Sequence, residues 1–314
     1  MNKNFDILCQ GSLCTEVLAW VERYPGAGDG IIADSIKWTG GGMAANAASA
    51  IALLVGRVTL LSTTGDDYYG HESLKKLREN GVNIDFLVQR RNHSSPIVIL
   101  MIDPSLKRAG LVLPMERDLE LKIEDVPDEV FQTNKVFFTD MHPLETSVEL
   151  TRKAKRFGLV IAMDMQMTEA HTNLPGLNEK ITEMFDMTDY FFADEENFLN
   201  WTGYSRIEPA CKTLFDLYPN KILVITRGKE GSWIITNQRA IEIPIFQVPV
   251  VDSIGAGDAY HGAFLYAHLV LNMSLHDAGL FASATAALSC MKSGARDGLP
   301  DFKTVQNFLE TRSN

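Results

Sequence analysis

Cysteine is scarce in this chain. Cys9, Cys14, Cys211 and Cys290 are scattered among 314 residues, with no CxxC pair and no metal-ligand spacing. That pattern excludes a disulfide scaffold and a sequence-encoded zinc site, and reads as reduced thiols of a cytoplasmic protein. No apolar run reaches the length of a membrane span, and the opening Met-Asn-Lys-Asn-Phe-Asp carries no signal-peptide core, so no membrane partner is expected. Basic residues are outnumbered, 29 Lys and Arg against 40 Asp and Glu, for a formal net charge of −11. A nucleic-acid surface is therefore not expected, because phosphate backbones reward clustered cations. A local site for a small anion stays open, since it can oppose the global charge. Internal repeats, low-complexity tracts and long linkers are also missing. What is present is a 46% hydrophobic, 22% charged composition, ordinary for a soluble globular protein with a sizeable core.

Strand-like and helix-like segments alternate. Ile7 to Gln10 is a short apolar strand ending at Gly11-Ser12. A small-residue helix over 43–55 leads to a strand at Val58 to Ser62, and a helix from Gly70 to Asn80 stops at Gly81. Further strands are expected at Val136 to Thr139, Leu159 to Met163, Tyr190 to Ala193 and Ile222 to Thr226, with closing helices near 257–271, 276–291 and 301–311. This alternation predicts an α/β fold, a mostly parallel sheet covered by helices on both faces. Residues 13–39 and about 88–113 break the rhythm with extended, β-rich runs. They predict antiparallel strands forming a small lid, inserted in a single domain over 1–314, at the edge where open α/β sheets bind ligands.

The most informative stretch is 250–264, Val-Val-Asp-Ser-Ile-Gly-Ala-Gly-Asp-Ala-Tyr-His-Gly-Ala-Phe. Gly255 and Gly257 let the backbone bend tightly and approach a ligand. Ala263, Phe264, Ala267 and Val270 continue at helical spacing, so the loop delivers free N–H groups at a helix N-terminus. Asp258 stands in the first turn. An anion hole beside a carboxylate suits transfer of a phosphoryl group to an alcohol. A tight corner with an acid that favours the helix dipole is the bland alternative. A second cluster, Gly40-Gly41-Gly42-Met43-Ala44-Ala45-Asn46, admits a ligand against backbone while Asn46 offers both donor and acceptor, or else it serves close helix–sheet packing. Thr64 to Gly70 reads as a strand-to-helix turn capped by Asp66 or Asp67. Asp140 and His142 follow a strand at the presumed substrate edge, as does Asp164 on the next. They are candidates to contact substrate, although His142 precedes Pro143 and suits a helix cap equally. His261, three residues after Asp258, is placed to pack or hydrogen-bond nearby.

The three glycine clusters in this order resemble the ribokinase (PfkB-type) family of small-molecule kinases. Its first signature matches Gly41 through Gly70 and its second matches Asp252 through Phe264. The likeness continues in Gly11-Ser12, in Thr226-Arg227-Gly228-Lys229-Glu230-Gly231 and in Ser293-Gly294-Ala295-Arg296. The resemblance implies a ribokinase-like three-layer sandwich with a β-rich lid and an ATP-dependent sugar kinase that uses Mg2+ and K+, while the exposed β-edges of the lid, which tend to be paired or covered, lead us to expect a homodimer through it. The resemblance makes Asp258 the base and the backbone of Gly255, Ala256 and Gly257 the anion hole. It places Asp194, Thr226, Gly228, Gly231, Ser283, Ser293 and Gly294 around the nucleotide. Asp252 and the Ile254 carbonyl match a monovalent-cation site, Glu195 a magnesium contact through water, and Gly41, Gly42 and Asn46 the sugar side.

Departures from the pattern concern the substrate. Where relatives carry Asn and Asp on the first lid strand, this chain has Cys14 and Glu16. Glu16 can still accept hydroxyl hydrogen bonds but requires a smaller or displaced sugar, while Cys14 is read as packing beneath the lid. Met43 replaces a frequent Lys, which argues against an already phosphorylated acceptor. In Asp194-Glu195-Glu196-Asn197 the amide and acid of the family's element have exchanged ends. Trp20, Tyr24 and Trp38 keep a nucleoside kinase open. Gly294-Ala295-Arg296-Asp297-Gly298-Leu299-Pro300 keeps a sulfosugar kinase open, though an Arg near His142 is missing. A catalytically silent sensor is the reading from another class, and the intact Gly-Ala-Gly-Asp speaks against it. A dinucleotide-binding dehydrogenase fits poorly, since the first strand leads to Gly-Ser-Leu-Cys rather than GxGxxG.

Overall fold

The computed structural model describes residues 5–113, 117–166 and 176–312. Its first half contains β1 (Ile7–Gln10), β2 (Cys14–Trp20), β3 (Ser35–Gly41), α1 (Met43–Leu53), β4 (Val58–Leu61), β5 (Thr63–Gly65), α2 (Tyr68–Glu79), β6 (Val88–Arg90), β7 (Ile97–Ile102) and β8 (Arg108–Val112). Then come α3 (Glu129–Thr133), β9 (Val136–Thr139), α4 (Leu144–Arg156), β10 (Val160–Met165), α5 (Leu177–Met187), β11 (Tyr190–Asp194), α6 (Glu195–Thr202) and α7 (Ile207–Leu217). β12 (Ile222–Thr226), β13 (Ser232–Ile235), β14 (Ala240–Ile243), α8 (Ala256–Leu265), α9 (Leu275–Ser289) and α10 (Phe302–Glu310) complete it.

The main sheet runs β14-β13-β12-β11-β10-β9-β1-β4 and is parallel except where β13 pairs antiparallel with β12 and β14. Its central strands are buried apolar runs such as Val136–Thr139, as strands covered on both faces must be. Side chains alternate between two cores. Ile7, Cys9, Leu60, Phe138 and Phe192 face a layer built from α1, α8 and α9. Leu8, Leu61, Phe137 and Ile161 face α4, and Phe191, Leu223 and Ile225 face α5, α6 and α7. The result is the expected three-layer sandwich. The antiparallel edge β13–β14 escapes a reading by alternation, because a short turn rather than a helix joins β12 to β13.

The lid is a four-stranded sheet ordered β3-β2-β7-β8. Two pairings are antiparallel as expected, but β2 and β7 run parallel. The long passage between them goes through α1, β4 and α2, so both strands enter the lid from the same side. Residues 88–90 do not join the lid; β6 pairs with β5 in a separate two-stranded sheet. Asp67 caps α2 by accepting the Gly70 N–H, and Asp66 instead accepts from Asn92 N–H, each at 2.8 Å. Edge strands β3 and β8 leave Ile36, Trp38, Leu111 and Val112 exposed.

Strand order reverses at β1, which lies between β4 and β9. Open α/β sheets form their ligand crevice at such a point. Here the Asp140 carboxylate, beyond β9, accepts the Ser12 N–H at 2.8 Å, the Ser12 hydroxyl at 2.5 Å, the Ala44 N–H at 3.0 Å and the His142 N–H at 3.1 Å. One buried side chain thus joins the β1 turn, the α1 N-terminus and the β9 turn. Gly11 permits this approach. It has φ +150°, and a Cβ there would lie 1.9 Å from Asp140 Oδ1. Gly11→Ala is expected to destabilise the fold by about 1–3 kcal/mol in urea titration. A change within about 0.5 kcal/mol, the range of a neutral surface substitution, would show that the crevice tolerates displacement of Asp140.

Candidate active site

The 250–264 stretch forms a glycine turn into α8. Gly255 is its N-cap with φ 72°, and a Cβ there would sit 2.7 Å from the Ala295 Cβ, so the 293–296 loop backs the turn. A Cβ on Gly257 would meet nothing within 4 Å, so its backbone faces open space. The first N–H groups of a helix have no partner within it. At this end they can serve an anion.

Asp258 is buried behind that turn. Its Oδ2 accepts the Asn46 amide at 2.8 Å, and Gln166 Nε2 lies 3.5 Å from Oδ1. Asn46 reaches it from α1, where Gly42 (φ 95°) starts the helix; a Cβ on Gly42 would lie 2.4 Å from the Ser12 carbonyl. Arg296 lies on the other side of Asn46. This buried guanidinium donates from Nε to Asn46 Oδ1 at 3.0 Å and from Nη2 to the Gly41 carbonyl. Glu16, on β2 and paired across the lid with Thr39, packs its side chain where a Gly41 Cβ would be. Its Oε2 is buried without a hydrogen-bond partner among the described residues, as is Arg296 Nη1. Residues 41, 42, 46, 16 and 258 therefore meet in one place. Arg296 and Gln166 join them. Sequence reasoning noted Arg296 only as part of a terminal motif and had no local signal for Gln166.

Asp140 and His142 stand differently. The Asp140 oxygens are engaged by backbone and Ser12, and the His142 carbonyl accepts from Gln10 Nε2 at 2.7 Å. Asp140 therefore organises the crevice wall, which is a positioning task. Asp164 pairs with His261, Oδ2 to Nδ1 at 2.9 Å, in full burial beneath Asp258.

Of the residues expected around the nucleotide, Asp194, Thr226 and Gly228 line an open cleft of about 550 Å³ together with Glu195, Arg227 and Glu230, whereas Gly231, Ser283, Ser293 and Gly294 are not part of its lining. Asp194 caps α6, accepting from the Asn197 N–H at 2.8 Å and its amide at 2.5 Å. Glu195 is 3.1 Å from Arg227 Nε. Gly231 (φ 89°) passes so close to the Ile243 carbonyl that a Cβ would stand at 2.2 Å. Ser283 donates to the Pro244 carbonyl at 2.7 Å, and the Ser293 hydroxyl is buried without a partner among the described residues. Asp252 accepts the Ile254 N–H at 3.0 Å and the Gly294 N–H at 2.9 Å, tying the glycine turn to the 293–296 loop. Among the described residues no group of three or more acids, His or Cys forms a metal cage.

Burial dominates the electrostatics. It pushes Asp258 up to about 7; the Asn46 donor opposes the rise, Asp164 adds to it and His261 opposes it. Burial likewise pushes Glu16 up to about 7, against the pull of Arg296 and with a push from Asp258. It also lowers Arg296 from its usual range. Burial works against the His261 cation, yet the Asp164 carboxylate outweighs it and holds the imidazole above its usual range. Below the ordinary carboxylate range, both acids are protonated in folded and unfolded chain alike. As pH rises toward about 7, only the unfolded chain releases the protons, and stability falls. Glu16→Gln and Asp258→Asn should each stabilise the fold more at pH 8 than at pH 5, by about 1–3 kcal/mol in denaturant titration. Equal gains at both pH values would contradict the burial of these charges.

The comparisons with known proteins agree with this geometry. The family described as pfkB family carbohydrate kinase matches residues 4–301. The chain is 26% identical over 309 residues to the deoxyribokinase of Salmonella typhi, covering 97% of this chain and 98% of that protein. It is 27% identical over 308 residues to the nucleoside kinase of Methanocaldococcus jannaschii, covering 97% and 96%. Among solved structures, Arabidopsis thaliana ribokinase complexed with ribose and ATP has the same fold, with a TM-score of 0.81 at 22% identity over 98% of this chain and 99% of that one. No helix among the described residues is long and apolar enough to cross a membrane. With a family match running through the lid, the crevice and the glycine turn, the chain belongs to the pfkB family of carbohydrate kinases.

Proposed function

We propose that the protein transfers the γ-phosphoryl group of ATP to a hydroxyl of a small, uncharged sugar or sugar-like polyol. The observation that carries this reading is the buried Asp258 carboxylate in the first turn of a glycine-opened helix, held by Asn46 between the anion site and the lid. In this reading Asp258 takes the proton of the acceptor hydroxyl as that oxygen attacks the phosphorus. The backbone N–H groups of Gly255, Ala256 and Gly257 steady the charge on the transferring group. Such a division suits phosphoryl transfer, where positioning and charge neutralisation do most of the work. The lid and the Glu16 carboxylate hold the sugar and keep water from the phosphoryl group.

The nucleotide cleft supports a magnesium role for Asp194 and Glu195. Their carboxylates already accept hydrogen bonds, which leaves lone pairs for the waters that magnesium keeps. When bound, the ion supplies charge neutralisation on the phosphates. A potassium ion near Asp252 and the Ile254 carbonyl remains part of the reading, and turnover in potassium against lithium salts tests it.

Charge favours a neutral acceptor. Arg296 has Glu16, Asp297 and Asp258 as its nearby acids, so no substrate anion is needed to balance it. Met43 stands where a phosphate-binding Lys is frequent. The nucleoside reading rests on the lid aromatics, but Tyr69 already stacks on Trp38, ring centroids 4.9 Å apart.

A coupled ADP-release screen over aldoses, ketoses, sugar acids and nucleosides tests the proposal directly; no release above background on any neutral sugar would refute it. Asp258→Asn should cut turnover by about 10²–10⁴-fold while ATP binding persists. Near-normal turnover in that variant would remove Asp258 as the base. Glu16→Ala should chiefly raise the KM for the sugar, by roughly tenfold or more for a lost charged hydrogen bond. An unchanged KM would take Glu16 out of the sugar site.

A further inference from the structure

Arg296 is a fully buried cation that the phosphoryl-transfer chemistry does not use. It is nonetheless anchored at several points. Nε meets Asn46 Oδ1 at 3.0 Å, Nη2 meets the Gly41 carbonyl, and the guanidinium lies flat against Gly40, where a Cβ would stand 2.7 Å from Cζ. A guanidinium has only donors. Whatever atom of Asn46 it touches must therefore be the carbonyl oxygen. The NH₂ group is then forced to the opposite end, and there it meets Asp258 Oδ2 at 2.8 Å. An asparagine free of this constraint can turn its amide about and offer oxygen to the acid, which favours the protonated carboxyl. With the amide pinned, Asp258 receives a donor, and the form that accepts is the carboxylate.

We infer that Arg296 is a positioning residue that locks the Asn46 amide in one orientation, so that Asp258 is held in the state able to accept a proton. The inference rests on the reading of Asp258 as the base. The other groups around Asp258 do not duplicate this action. Asp164 from β10 and Asp140 beyond β9 oppose its ionisation, and Glu16 on β2 feels it as a like charge. His261 on α8 favours ionisation but is paired with Asp164, and Gln166, at 3.5 Å, is a marginal contact. The Asn46 donor is the short hydrogen bond among them, and Arg296 determines which way it points.

The test needs no acceptor sugar. In protein labelled with ¹³C at the aspartate carboxyl carbon, the resonance that disappears in Asp258→Asn is that of Asp258, and its titration midpoint is read directly. Arg296→Leu should raise the midpoint by roughly one pH unit, the equivalent of one lost hydrogen bond. Arg296→Lys, which can also only donate, should restore most of it. In an Asn46→Ala background, Arg296→Leu should produce little further shift, because the amide through which it acts is gone. An unshifted midpoint in Arg296→Leu, or an equal shift with and without Asn46, overturns the inference; the latter would mean that the cation acts through space. Should Arg296→Leu fail to fold, Arg296→Gln takes its place, since its amide can meet Asn46 with either donor or acceptor. A partial upward shift is then expected, and an unshifted midpoint again overturns the role. Activity of Asp258→Asn separates the two layers. Normal turnover there removes the base itself, whereas loss of turnover with no coupling between positions 46 and 296 removes only the orienting role of Arg296.

Discussion

The site depends on how closely two helices can approach. Gly262 of α8 lies against the backbone of α1, so near that a Cβ would stand 2.6 Å from the Ala47 carbonyl. That contact brings Asn46 within 2.8 Å of Asp258. The small residues of α1 make the approach possible, with Ala44, Ala45, Ala47 and Ala48 all fully buried. Packing and chemistry are therefore not rival explanations of the alanine-rich stretch. The alanines pack, and by packing they place the amide. Because packed interiors yield little, a side chain at position 262 would be felt at the carboxylate rather than absorbed locally.

A second constraint acts at the sheet's edge. The chain leaves β1 in one direction and returns on its other side through β9, which opens the crevice. The Asp140 carboxylate spans it, drawing Ser12, Ala44 and His142 to a single point. A polar group buried this deeply is tolerated when its hydrogen bonds are made, and here they are made to backbone. The crevice floor is consequently stiff. What faces it from β2 of the lid and from the 293–296 loop is unlike it, since Glu16 Oε2 and Arg296 Nη1 are buried without partners among the described residues. Beneath Asp258 the packing is less complete than at Asp140, since Asp164 Oδ1 and His261 Nε2 are also buried without partners among the described residues.

Legibility from sequence follows the same division. The central strands were readable because an apolar run of four or five between turns has few other uses. Val136–Thr139 and Ile222–Thr226 fall where the pattern put them. β13 and β14 were missed because only a single 3-10 turn, Gly228–Glu230, and no α-helix, separates them from β12. The parallel pairing of β2 with β7 was missed because register across some eighty residues of intervening chain has no local signature. The closing helix near 257–271 ends its α-helical part at Leu265 and finishes as a π-helical turn, Tyr266–Val270, that hydrophobic spacing does not distinguish. At the site, Asp258 and its glycine turn were legible as one contiguous segment. Asp140 was picked out by its place after a strand, but only the hydrogen bonds reveal that it holds backbone.

Arg296 shows why the acceptor is harder to read than the reaction. Phosphoryl transfer draws on backbone N–H groups and one acid, and a single loop can supply both. The proposed acceptor side is assembled from β2, the β3–α1 glycines, α1 and the 293–296 loop, segments up to 280 residues apart that meet only in the folded chain. A guanidinium from the last of these holds the amide on the third and the carbonyl ending the second. Its charge stands near Glu16, Asp297 and Asp258, and the affinity of Glu16 and Asp258 for protons depends on burial that no local pattern reveals. Glu16 also feels Asp252 and Arg108, and Asp258 also feels Asp164 and Asp140, so acids outnumber cations around the pocket and a substrate anion would add to that imbalance. Under the proposed reading, the electrostatics of the pocket favour an acceptor that brings hydroxyl groups and no charge.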